Sequence, residues 1–158
     1  MNVFDKIGLT RSLVAKNITP MWTELQMAIK ACVGSYNMLD EGKTHPAVLK
    51  DSSDTAVLVS CELGRWPADP MYVLNVVIEV NLIGDAYTIN AFVRKWLVHQ
   101  GSPPKSFVAD ELRYRLNADP ETSEVWFVPE DGKRLTPLGV AEAILLKALY
   151  EKPAFGNV

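Results

Sequence analysis

The strongest constraint on the fold is an alternation of side chains that continues for twelve residues, from Tyr72 to Ile83. A period of two residues is typical of a β-strand, because successive side chains of a strand point to opposite faces. The four-residue spacing of Asn75 and Glu79 would also fit a helix, but the abundance of valine and isoleucine favours a strand. The sequence therefore predicts a long strand here, and with it a sheet.

Neighbouring segments supply the rest of the predicted sheet. Residues 56–63 alternate in the same way and are separated from 72–83 by a loop rich in glycine and proline. Residues 84–85 suit a two-residue hairpin turn, after which 86–89 form a short returning strand in this interpretation. Another short strand is predicted at 124–128.

Helices are predicted where apolar residues recur three and four positions apart. Thr136 and Pro137 suit the N-cap and the first position of the last helix, and Thr19 and Pro20 suit the same two positions of the first. The predicted helices cover about 20–39, 87–100, 106–117 and 136–151.

The order of these elements indicates the fold class. Strands cluster in the middle of the chain and helices surround them, which favours an α+β fold. We expect a small antiparallel sheet of about three or four strands, packed with about four helices in a single layer. At 158 residues the chain has the size of one domain, so 1–158 is assigned to a single domain. Within it, 1–18 is expected to be an arm or short helix, 40–55 an exposed loop and 153–158 a loose tail.

The sequence contains no motif that predicts catalysis or metal binding. It has two histidines and two cysteines, with no Cys-x-x-Cys pair and no Gly-x-Ser-x-Gly elbow. Gly42-Lys43-Thr44 lacks the upstream glycine of a phosphate-binding loop, because that position is Asn37. We therefore predict no catalytic, cofactor or metal residues, which favours a non-enzyme. An enzyme of unrecognised class is kept as the second alternative.

Charge and hydropathy limit the surroundings and partners of the protein. No apolar stretch reaches the roughly 18 to 20 residues of a membrane helix, and the first residues do not resemble a signal peptide, so we expect a cytoplasmic protein without a membrane partner. The net charge of −3 disfavours a surface built wholly for nucleic acid. Residues 87–118 are an exception, since this segment contains five basic residues and only two acidic ones.

The C-terminal half resembles winged-helix proteins in the order of its predicted elements. Two helices, a strand, a glycine turn and the segment Leu135-Thr136-Pro137-Leu138-Gly139 follow one another across 87–139. The resemblance implies a DNA-binding regulator whose helix 106–117 enters the major groove. This is the first alternative function. Its candidate nucleic-acid residues are Arg94, Lys95, Lys105, Arg113, Arg115, Lys133 and Arg134.

The leading hypothesis is a non-enzymatic protein that binds another protein, or a second copy of itself, in a regulatory or accessory role. Trp66 lies in a loop between Arg65 and Pro67, and an aromatic side chain beside arginine is a common anchor for a protein partner. A small sheet with an uncovered edge also invites dimerisation or strand addition. The predicted interaction residues are Arg65, Trp66 and Pro67.

Overall fold

A computed structural model describes residues 1–99, 101–104, 106–153 and 155 of this protein. In chain order the elements are helix α1 (Val3–Met38), the short helix α2 (Asp40–Thr44), strands β1 (Ala47–Ser52), β2 (Ala56–Trp66), β3 (Asp69–Ile83), β4 (Thr88–Val98), β5 (Ser106–Ala118) and β6 (Val125–Pro129), and helix α3 (Pro137–Leu149). A 3-10 turn at Gly84–Ala86 joins β3 to β4.

The strands form one antiparallel sheet in which each strand pairs with the next along the chain, in the order β1 to β6. β3 and β4 lie at its centre, and their register runs from Val73 opposite Val98 to Ile83 opposite Thr88. β4 continues the register into β5, with Trp96 opposite Phe107. The sheet is therefore a meander built entirely from hairpins.

The predicted size of the sheet and number of helices were wrong, although a mixed α+β architecture is what the structure shows. Within the described residues the sheet has six strands, not three or four, and three α-helices accompany it, not four. The predicted helices 87–100 and 106–117 are strands β4 and β5. The predicted loop 40–55 contains α2 and β1.

The error at β4 has a physical cause, because both faces of this strand carry apolar side chains. Ile89, Val93 and Leu97 are fully buried on one face, while Phe92 and Trp96 lie on the other. Taken together, these five residues have the spacing of a helical stripe although they belong to two faces of a strand. An apolar run of this length is ambiguous by periodicity alone.

The first helix starts much earlier than its predicted first residue, Pro20. It begins at Val3, where Asn2 and Asp5 form a reciprocal capping box, so residues 3–18 are part of the same helix. Pro20 lies inside it and lacks the N–H that would donate to the preceding turn. The helix continues because its apolar stripe runs through this point from Val14 to Tyr36 and is buried along that length.

Both long helices pack on the same face of the sheet and against each other. We call this face the covered face. At roughly 1.5–3 kcal/mol for each fully buried large apolar side chain, its contact with the helices is the main source of stability. Its buried strand residues are Ala47, Val57, Val59, Cys61, Leu74, Val76, Ile78, Val80, Ile89, Ala91, Val93, Lys95, Leu97, Tyr114, Leu116, Ala118 and Phe127.

Lys95 is a buried charged residue of that face and is only 2% exposed. Its Nζ donates to the backbone oxygens of Lys147, at 2.8 Å, and of Glu151. Both oxygens lie at the C-terminal end of α3, where a positive charge is favoured by the helix dipole. Burial lowers the pKa of the Lys95 ammonium, while the nearby carboxylate of Glu151 raises it. The lysine thus joins the centre of the sheet to the last turn of α3.

Each edge of the sheet is occupied at one residue by another part of the chain. At the β1 edge, the amide of Asn37 accepts from the N–H of Ala47 at 2.8 Å and donates to its carbonyl at 2.9 Å, as a neighbouring strand would. At the β6 edge, Phe127 and Leu135 exchange two backbone hydrogen bonds of 2.8 Å. Such protection disfavours pairing with another chain. The uncovered edge that the sequence suggested is therefore partly shielded.

Replacing Asn37 with alanine removes both hydrogen bonds to Ala47, whose backbone is then unpaired. We expect Asn37→Ala to lower the free energy of unfolding by about 1–3 kcal/mol. Ser35→Ala is a matched control in the same helix, since Ser35 is exposed, and it should change stability by less than ~0.5 kcal/mol. Urea unfolding measures both values. Equal losses in the two variants would contradict the role assigned to Asn37.

Lys95 and its neighbour Arg94 offer a second paired test, because their side chains lie on opposite faces of β4. Lys95→Met leaves two carbonyls at the end of α3 without their donor and should cost about 1–3 kcal/mol. Arg94→Met removes a partly exposed ion pair and should cost less than ~1 kcal/mol. Urea unfolding compares the two variants, and hydrogen exchange should show faster opening of residues 147–151 only for Lys95→Met.

Candidate functional site

The face of β2–β5 opposite the covered face is not packed by any helix in the described part of the chain. We call it the open face. It consists of the alternate residues of the four strands, and cross-strand register aligns them in rows. Its members are Ala56, Leu58, Ser60, Glu62, Val73, Asn75, Val77, Glu79, Asn81, Ile83, Thr88, Asn90, Phe92, Arg94, Trp96, Val98, Phe107, Ala109, Glu111, Arg113, Arg115 and Asn117.

Two aromatic side chains lie side by side on the open face, and a third lies two face positions farther along. Trp96 of β4 is directly opposite Phe107 of β5, and Phe92 lies four residues before Trp96 on the same strand. Phe107 is 61% exposed, which is unusual for a phenylalanine in a strand. Val77 of β3 is directly opposite Arg94, in the row next to that of Trp96 and Phe107. The end of the face around Trp96 and Phe107 thus carries aromatic side chains, of which Phe107 is exposed.

Two arginines of the open face are paired with glutamates of the same face. Arg94 Nη1 donates to Glu79 Oε2 at 2.8 Å, and this hydrogen bond lowers the pKa of the Glu79 carboxyl. The Arg94 guanidinium also lies 5.3 Å from the centre of the Phe92 ring, within cation–π range. On β5, Arg113 donates to Glu111 at 2.9 Å. The ion pairs keep guanidinium and carboxylate groups oriented beside the aromatic rings.

The seven predicted nucleic-acid residues do not form one basic surface. Arg94, Arg113 and Arg115 share the open face, but Lys95 lies on the covered face under α3. Lys133 and Arg134 follow β6, and the Arg134 guanidinium lies 3.8 Å from the centre of the Trp126 ring. Lys105 lies outside the described residues, as does most of the predicted tail 153–158.

The described residues of 87–139 do not have the winged-helix order of elements. The resemblance would insert segment 106–117 into the major groove as a helix. In the structure this segment is part of strand β5, which pairs with β4 on one side and with β6 on the other. The start of α3 is nevertheless as predicted, because Thr136 caps it by accepting from the N–H of Gly139 at 3.1 Å. The Thr-Pro sequence was thus a correct helix start, without the helices that a winged helix places before it.

The predicted interaction residues lie at the end of the β2–β3 hairpin. Trp66 packs edge-on against Phe155, with ring centres 5.3 Å apart, in a hollow of about 460 Å³. Arg65 donates from Nη1 to the carbonyl of Pro70 at 2.8 Å and so closes the hairpin turn, and Pro67 lines the same hollow. The structure therefore gives Trp66 and Arg65 contacts within the chain itself.

Two further concave regions carry groups of chemical interest. A groove of about 460 Å³ between α1 and α3 contains Cys32, Glu142 and Leu146, and burial, followed by the charge of Glu142, raises the pKa of the Cys32 thiol. A shallow hollow of about 380 Å³ at one end of the open face is lined by His45, Glu62 and Trp96, among others. Neither brings three metal-binding side chains together in the described ranges.

No helix in the described part of the chain is both long and apolar enough to cross a membrane.

No protein-family model matches the sequence, no curated protein is significantly similar to it, and no solved structure matches it. The function therefore has to be argued from the geometry of the molecule.

Sequence analysis missed the open face because it assigned two of its strands as helices. A signal was present in β5, where Leu112, Tyr114 and Leu116 alternate with Arg113 and Arg115. The alternation predicts a strand with one apolar and one charged face. Placing those arginines on the same face as Phe92 and Trp96 additionally requires the register between β4 and β5.

The two cysteines are free and differ in accessibility, which gives a test of the burial around the groove. Cys61 is buried on the covered face and Cys32 is half-buried, and burial raises the pKa of both thiols. A raised pKa lowers the thiolate fraction at pH 8, so both should react with a disulfide reagent more slowly than free cysteine. We expect Cys32 to react first and Cys61 only on unfolding. If the folded wild type and a folded Cys32→Ser variant reacted with the reagent at equal rates, the expectation would be contradicted.

Proposed function

We propose that this protein is a protein-binding module, and that the open face of its sheet is the contact surface. The observation that carries the proposal is the pair of Trp96 and the exposed Phe107, with Arg94 and then Phe92 following along β4. These residues lie on a face that no helix of the described residues covers. Tryptophan, phenylalanine and arginine are enriched at the centres of protein interfaces, where they contribute most of the binding energy.

The size of the open face supports this proposal. Strands about 4.8 Å apart, with face residues about 6.8 Å apart along each strand, give four strands a projected area of roughly 600 Å². A stable protein interface buries about 800 Å² on each partner, and transient ones bury less. The open face is thus large enough to bind a protein surface by itself.

The charge of the open face favours a protein over a nucleic acid. Arg94 and Arg113 each pair with a glutamate, which reduces the positive charge available to phosphates. Nucleic-acid surfaces gain affinity by neutralising several phosphates with unpaired basic side chains. An interface with both signs of charge around an aromatic centre is instead typical of protein recognition.

Shielded edges favour binding through the face over strand addition. On the β1 edge, the side-chain amide of Asn37 hydrogen-bonds to the backbone N–H and carbonyl of Ala47. On the β6 edge, the backbone of Leu135 hydrogen-bonds to that of Phe127. A partner strand could not pair with either edge along its length without displacing these groups. The open face does not require any such displacement.

Site-specific photo-cross-linking tests the proposal. A benzoylphenylalanine at Phe107 lies on the open face, and one at Leu146, which is 57% exposed on α3, is the matched control. In extracts of its own cells we expect a discrete protein adduct from position 107 and little from 146. Adding Val77→Glu to the first variant should reduce the adduct at least ~5-fold, because it places a further charge in the row next to Trp96 and Phe107.

Three outcomes would overturn the proposed function. They are an adduct removed by nuclease, equal adducts from both positions, or an adduct at position 107 that Val77→Glu leaves unchanged. Far-UV circular dichroism and urea unfolding of each variant verify that it is folded, so that a lost adduct reports on the surface.

A further inference from the structure

We infer that the partner of the open face is a second copy of the same chain, packed face to face in a symmetric dimer. The inference rests on the proposed function, because it names the occupant of the same surface. It follows from the charge balance of the open face and from its area.

The charge balance is what a self-associating surface requires. In a two-fold interface the same patch meets itself, so a patch with a net charge would repel its copy. The open face carries three glutamates and three arginines, and its formal net charge is zero. The chain as a whole has a net charge of −3, so its excess negative charge lies outside the open face. The charged residues of the open face are Glu62, Glu79, Glu111, Arg94, Arg113 and Arg115.

The area of two open faces is sufficient for a specific dimer. Roughly 600 Å² of projected area on each copy gives about 1,200 Å² in total, at the lower limit of stable protein interfaces. The dimer would therefore be concentration-dependent. It would bury the exposed Phe107 ring, together with Trp96 and Val77, between the two sheets.

The architecture of the chain is compatible with such packing. Two sheets pack face to face about 10 Å apart, with their strands within about 30° of one another. On each copy the helices lie on the opposite face, so they do not obstruct the approach. The result would be four layers, with two sheets inside and the helices outside.

Charge reversal of the Glu79–Arg94 pair tests the inference. Glu79→Arg changes the net charge of the open face to +2 and Arg94→Glu changes it to −2, so each variant should repel its own copy. Both side chains are 37% exposed, which lets the variants fold. The double variant Glu79→Arg/Arg94→Glu restores a net charge of zero and should restore the dimer. Leu146→Glu on α3 is the control that should not change the mass.

Sedimentation equilibrium over about 1–100 µM measures the result. The wild type, the double variant and the control should shift from 17.6 kDa toward twice that mass, and each single variant should remain monomeric. A mixture of the two single variants should form a heterodimer, because a +2 face then meets a −2 face.

Several results would overturn the second copy as partner. The first is a wild type that stays monomeric over the whole concentration range. The second is a single variant that dimerises as well as the wild type. The third is a mixture of the two single variants that stays monomeric. These failures are distinguishable from failure of the proposed function. The adduct at position 107 would then contain a different protein and would still depend on Val77, whereas an adduct between two copies supports both conclusions.

Discussion

The packing of α1 and α3 on one face of the sheet is the contact on which the rest of the structure depends. The apolar stripe of α1 is buried from Val14 to Tyr36, and it lies on strand residues that are almost fully buried. Because side chains alternate along a strand, burying one face leaves the other to solvent. The position of the helices thereby creates the open face, and it sets which residues of each strand can meet a partner.

Sequence patterns predicted those parts of the fold in which one periodicity was unambiguous. β2, β3, β6 and α3 lie close to their predicted positions, and Thr136 caps α3 as expected. β4 could not be predicted in this way, because its apolar residues on both faces imitate the spacing of a helix. The start of α1 was missed because Thr19-Pro20 has the residues of a helix start, while burial of the stripe around it decides the outcome.

The candidate surface was less predictable than the fold. Arg94 and Lys95 are neighbours in sequence and were grouped as basic residues of one surface. In the structure one pairs with Glu79 on the open face, and the other is 2% exposed beneath α3. Composition could suggest that aromatic and arginine residues mattered, but their arrangement depends on strand register, which no short segment of sequence encodes.

The contact between α1 and α3 also bears on how the protein folds. Each hairpin of the meander joins neighbours in sequence, so its loop-closure entropy is small and it can form early. The two helices are separated in sequence by the whole sheet, and their docking closes the longest loop in the molecule. Until the helices dock, the apolar face of the strands is exposed to solvent. The interval before docking is therefore when this chain is most vulnerable to aggregation, and the rate of helix docking determines how long it lasts.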